Sequence, residues 1–158
     1  MAASYVLILA FGIGIIAGLR SLTAPAVVSW AVRLGWLNIY YPALSFLGST
    51  AAVVIFTILA AVELVADQLP STPARTKPPG LIARFVLGGL SGGAVAVGGG
   101  QFLILGCVLG AAGGIIGAFA GYQVRTGLVR ALKVPDIVIA LLEDVVAIGG
   151  ALLIVTRF

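Results

Sequence analysis

Histidine is absent from all 158 residues, and cysteine and methionine occur once each. Without imidazole, no histidine base can activate a serine or cysteine nucleophile, and no imidazole metal site can form. A single thiol, Cys107, allows no disulfide within the chain and no thiolate cluster. Charge is almost as scarce. Charged residues make up 9% of the chain and hydrophobic residues 61%, whereas soluble domains carry about 25% charged residues. With a mean hydropathy of +1.24, the chain does not have water as its main solvent. Five acidic residues face nine basic ones, for a net charge of +4. The basic residues are scattered at the ends of apolar runs and form no basic face, which suits topology signals and anionic headgroups, so no nucleic-acid partner is expected. The short alternating segments of an outer-membrane barrel are missing as well.

Long apolar runs are what remains, and several reach the ~20 residues needed to cross a bilayer. The fold class expected is all-α: one integral membrane domain over residues 1–158, with about five spans near 3–22, 44–69, 81–97, 102–122 and 136–156. The N-terminal run MAASYVLILAFGIGIIAG has no basic leader region and continues past any plausible cleavage point, so it reads as a retained span. Pro25 should kink or break the helix that follows. The continuation APAVVSWAVRLGW is too short to span alone and is left as a tilted end, an interfacial helix or a half-helix. The aromatics of WLNIYYP suit a headgroup belt. Four prolines in PSTPARTKPPG end the second span, and Gly98-Gly99-Gly100-Gln101 makes a short connection between the third and fourth.

Arg75, Lys77 and Arg84 flank one loop, and Arg125, Arg130 and Lys133 lie in another, so both are assigned to the cytoplasm. Five spans then put the N-terminus inside and the C-terminus outside. Gly14-Ile15-Ile16 recurs as Gly114-Ile115-Ile116, and this topology makes the two copies an inverted repeat, as in many secondary transporters.

Four of the five acids fall in two apolar settings: Glu63 with Asp67, and Glu143 with Asp144. A carboxylate among lipid tails costs roughly 2.5–3.5 kcal/mol on insertion scales and is a functional candidate by default. Glu63 and Glu143 lie roughly 9 and 11 Å from the cytoplasmic ends of their spans, at 1.5 Å per residue, and are expected to face one another. They would bind a proton or a cation, with Asp67 and Asp144 tuning them and Arg20 and Arg75 as counter-charges. Whether a metal ion is the cation is left open. The bland alternative is that the acids are structural partners of Arg20, Arg84 or Arg125, and that Arg20 snorkels to an interface. Asp136, beside Pro135 at a helix start, reads as a cap. The glycines Gly88, Gly92, Gly106, Gly110, Gly113, Gly114, Gly117 and Gly121 form small-residue stripes for close helix packing, in a hairpin or an oligomer seam.

The strings GLRSLTAP (Gly18 to Pro25), ELVADQLPSTPAR (Glu63 to Arg75) and GYQVRTGLVRALKVPDIVIALLEDVVAI (Gly121 to Ile148) resemble a family of short bacterial inner-membrane proteins with a domain of unknown function. The resemblance implies a compact helical membrane domain and draws attention to Arg20, Glu63, Asp67, Arg75, Glu143 and Asp144. It implies no substrate.

The leading expectation is a small secondary transporter or channel, homo-oligomeric, moving a small ion or solute among membrane lipids, with no enzymatic activity and no cofactor. The rival is a non-transporting lipid-binding or scaffold protein whose buried ion pairs lock helices together. A third class is an enzyme acting on lipid headgroups at the cytoplasmic face.

Overall fold

The computed structural model of the chain describes residues 2–67 and 76–158, and their regular structure is all helical. In chain order the helices are α1 (Ala3–Leu19), α2 (Thr23–Arg33), a 3-10 helix (Pro42–Gly48), α3 (Thr50–Ala66), α4 (Pro78–Gly98), α5 (Leu103–Leu132) and α6 (Asp136–Val155). Three of them, α4, α5 and α6, are long and apolar enough to cross a membrane. The 3-10 helix and α3 make a fourth if their 65° bend is counted within one span. The helical membrane class is therefore as the composition implied.

Glycine sets how the helices stack. Gly14 of α1 lies on Gly110 of α5, and Gly18 lies on Gly114, so α1 and α5 run parallel. Gly88 sits on Gly110, while Gly92 touches Gly106 and Ala10, so α4 runs against both. A Cβ on Gly18 would come within 2.5 Å of the Gly114 carbonyl oxygen, and one on Gly88 within 2.6 Å of that of Gly110. Backbones this close gain dispersion contacts where lipid gives helices no hydrophobic reason to associate. The expected packing stripe thus forms a three-helix seam inside one chain, with Gly121 buried beyond it.

The topology differs from the five-span expectation. Leu37, just past α2, packs on Gly98 at the end of α4, and Trp30 of α2 pairs with Thr57 of α3. The segment left unassigned by its length is therefore a return pass, antiparallel to α3. On the far side of the bundle, Gly12 meets Ile154 and Gly150 meets Ile16, so α6 runs against α1. The described residues thus run between the two ends of the bundle six times, counting α2 with residues 34–37 as one pass. A Cβ on Gly99 would touch Val6 and lie 3.0 Å from Phe158, so both chain termini sit at one end. The five-span expectation had them at opposite ends. Lys77, Arg84 and the end of α5 remain together at the other end, the basic end.

Three further expectations change. The copies containing Gly14 and Gly114 lie on parallel helices, so that repeat is not inverted. α5 continues through the basic stretch as one helix of 30 residues, because nothing stops it before Lys133 turns left-handed (φ 52°) ahead of Pro135. The second span is split at its start, where Ser49 caps α3 by accepting from the Ala52 N–H at 3.1 Å.

Large apolar side chains such as Val62, Val65, Ile104, Val145 and Leu153 point away from the bundle, each more than half exposed. An apolar surface of this extent belongs against lipid rather than water.

Gly110→Ala should destabilise the bundle by about 1–3 kcal/mol, the range for overpacking, because its methyl group would run into the Gly88 backbone. Gly127→Ala, in the same helix with nothing within 4 Å, should be tolerated. Thermal melting of both variants in detergent checks this, and equal melting would contradict it.

Candidate functional site: a charged chain reversal and a lateral cleft

Between α1 and α2 the chain leaves the helix for three residues, Arg20 to Leu22, and turns back on itself. A break inside an apolar bundle strands backbone donors and acceptors, and it is tolerated only where protein groups replace water. Here charged side chains do so. Both oxygens of Glu63 on α3 face the N-terminus of α2: Oε1 accepts from the Ser21 N–H at 2.8 Å and the Ser21 hydroxyl at 2.5 Å. Oε2 accepts from the Leu22 N–H at 2.8 Å. A carboxylate in this position also complements the positive end of the helix dipole. On the other side of the break, Arg84 of α4 donates from Nε to the Gly18 carbonyl at 3.0 Å and from Nη1 to the Gly80 carbonyl at 3.0 Å.

Arg20 is completely buried. Its Nε donates to Asp144 Oδ1 at 2.6 Å and its Nη1 to Asp67 Oδ2, so one guanidinium ties the reversal to both α3 and α6. Desolvating such a charge costs several kcal/mol, which the two carboxylates offset. Pro25 falls in the first turn of α2, where its missing N–H costs no helical bond. The break comes before it, at the charged residues.

The acids are therefore brought together in a different combination from the one their spacing suggested. Glu63 binds the Ser21–Leu22 backbone, while Glu143 pairs with Arg125 at 3.5 Å. It is Asp67 and Asp144 that share a partner, Arg20. Burial overturns the snorkelling alternative for Arg20. Asp136 is the first residue of α6 rather than its cap, which is Pro135, and Arg125 donates to it from Nε at 2.9 Å and from Nη2 at 2.5 Å. Arg75 lies outside the described residues. Among the described residues no three carboxylate or thiol groups are placed to hold a metal ion.

One cavity of about 270 Å³ lies in the basic half of the bundle, between α1, α5 and α6. Ile15 and Leu19 form its floor, and Gly117, Gly121 and Ile139 deepen it. Its rims are exposed apolar residues: Val124 of α5, and Leu142 and Val146 of α6. It therefore opens sideways, on the outer surface of the bundle. Arg125 and Glu143 also border it, but its surface is almost wholly apolar. This cleft escaped sequence reasoning because it comes from the small residues at 117, 120 and 121, whose spacing resembles any packing stripe. Ser21 was a missed participant, for which the only signal was a hydroxyl residue next to an unusual arginine.

A family model describing a domain of unknown function (DUF4126) matches residues 7–157, and the chain belongs to that family. No curated protein and no solved structure matches it.

Removing one partner of a buried pair leaves the other charge uncompensated, at a cost of about 3–5 kcal/mol. Arg20→Met should therefore be severely destabilised. Adding Asp67→Asn and Asp144→Asn to it should recover much of the loss. A thermal unfolding series in detergent measures this, and additive losses across the triple variant would refute the arrangement.

Proposed function

We propose that this DUF4126 member is a non-transporting, lipid-binding membrane protein whose buried charges are structural. The observation that carries this reading is the lateral apolar cleft between α5 and α6, which opens where lipid would lie. An acyl chain is the chemistry that fits an apolar, sideways-opening groove, each buried methylene contributing about 0.8 kcal/mol. The engaged acids point the same way: Glu63, Asp67 and Asp144 each serve the chain reversal. By charge bias, the end carrying Lys77, Arg84, Arg130 and Lys133 faces the cytoplasm of a bacterial inner membrane, and both termini face outward.

A second reading, cation or proton transport, is favoured by one observation. Arg20 Nη2 is buried with no hydrogen-bond partner among the described residues, and an interrupted helix beside buried carboxylates is a transporter device.

Native mass spectrometry of the purified chain should find co-purified phospholipid. Ala120→Trp, which fills the cleft wall, should lower its occupancy about tenfold, the loss expected for roughly two displaced methylenes. Proteoliposomes should show no cation or proton flux above empty vesicles. Flux that Asp144→Asn or Glu63→Gln abolishes would turn the assignment to transport.

A further inference from the structure

All five acids of the chain are committed inside it. Glu63 takes the Ser21 and Leu22 N–H groups, Asp67 and Asp144 take Arg20, and Asp136 and Glu143 take Arg125. The cations of the basic end are not committed in this way. Lys77, just ahead of α4, and Arg130 and Lys133, at the end of α5, are exposed. No ion pair among the described residues includes any of the three.

The faces of α5 show where two of these charges sit. Its buried side carries Gly110, Gly114, Gly117 and Gly121. Arg130 comes nine residues after Gly121, which at about 100° per residue puts it half a turn around the helix from that side. On Arg130's own face, Leu105, Val108, Ile116 and Phe119 are exposed and apolar, and Gln123 and Thr126 stand between them and the arginine. Lys133 follows three residues later. One face of the helix therefore passes from apolar side chains, through an amide and a hydroxyl, to two cations. That is the order of layers met on leaving a bilayer core for its headgroups. Helical side chains lean toward the helix N-terminus, and α5 starts at the opposite end of the bundle. Arg130 thus leans back toward the membrane, its apolar stem along the bundle surface and its charge at headgroup level.

We propose that this outward face of α5 binds phospholipids of net negative charge, their phosphates meeting Arg130 and Lys133, with Lys77 adding to the field. The partner is a lipid because the face that carries the cations continues the lipid-facing side of the same helix. Its net charge follows from the committed acids: none is left on this face for the ammonium of a zwitterionic lipid, while each basic residue near an anionic surface adds attraction. Guanidinium also takes phosphate through paired N–H donors. The apolar cleft lies on the other side of α5, with Gly117 and Gly121, so this inference does not depend on it.

The test uses the full chain in nanodiscs of equal parts phosphatidylglycerol and phosphatidylcholine with identical acyl chains, followed by mass spectrometry of the retained lipid. The glycerol lipid should be retained at least about fivefold over the choline lipid, the order for one basic residue at an anionic surface. That preference should collapse as salt is raised from about 0.01 M to about 1 M, over which the Debye length falls from about 30 Å to about 3 Å. Arg130→Gln combined with Lys133→Gln should remove it, and Arg130→Lys, which keeps the charge, should preserve it. Both side chains are exposed, so the double variant should melt with the unaltered chain. Ala120→Trp, in the cleft wall, should leave the preference unchanged. A preference that the double variant keeps overturns the proposal. Equal retention of the two lipids by the unaltered chain also overturns it and leaves the basic face to a soluble acidic partner. If Ala120→Trp alone abolishes the preference, the anionic lipid sits in the cleft and the assignment to this face falls.

Discussion

The bundle depends on how an apolar protein satisfies a chain reversal in its own interior. Between Arg20 and Leu22 the helical ladder stops, and the orphaned groups find charges instead of water: Glu63 for the donors and Arg84 for the Gly18 carbonyl. Arg20 then anchors the turn to α3 and α6 through Asp67 and Asp144. In a low-dielectric interior each of these groups is costly alone and favourable only in company. Helices α1, α2, α3, α4 and α6 are all tied in through this one place. The reversal lets α2 return to the end where the chain begins, and that return makes the number of passes even.

Glycine and charge divide the work. On one side of α1 the backbones of α4 and α5 come so close that a methyl group has no room, and packing alone holds them. On the other side, α2, α3 and α6 join by side chains, and the charged turn supplies the direction that packing lacks. The glycine seam does not reach the basic-end halves of α5 and α6, which are linked instead by the ion pairs of Arg125 with Asp136 and Glu143. The apolar cleft lies between these halves and α1.

Much of this was legible in the residues. Low charge and long apolar runs announced a helical membrane domain, the glycine stripes on α4 and α5 announced close packing, and the stranded acids announced buried polar work. Pairing was not legible. Glu63 and Asp67 share a helix face, and Glu143 and Asp144 are neighbours, so depth alone could not say which acid meets which base. Nor could length reveal α2, whose 11 residues fall short of a bilayer's ~20. A half-length helix counts as a pass only when its start is satisfied inside the protein, and Glu63, 41 residues further on, satisfies it. The apparent repeat also misled for a physical reason: after the common Gly-Ile-Ile, one copy turns at Arg20 while the other continues as helix through Ala120 and Gly121.

That charged groups fold the chain back at residues 20–22 is tested most directly by the sidedness of its ends. Single cysteines at Ser4, Arg157 and Lys133, placed in a Cys107→Ala background, can be labelled with a membrane-impermeant thiol reagent in intact and inside-out vesicles. The account predicts that positions 4 and 157 label from one side and position 133 from the other. Labelling of 4 and 157 from opposite sides would contradict it.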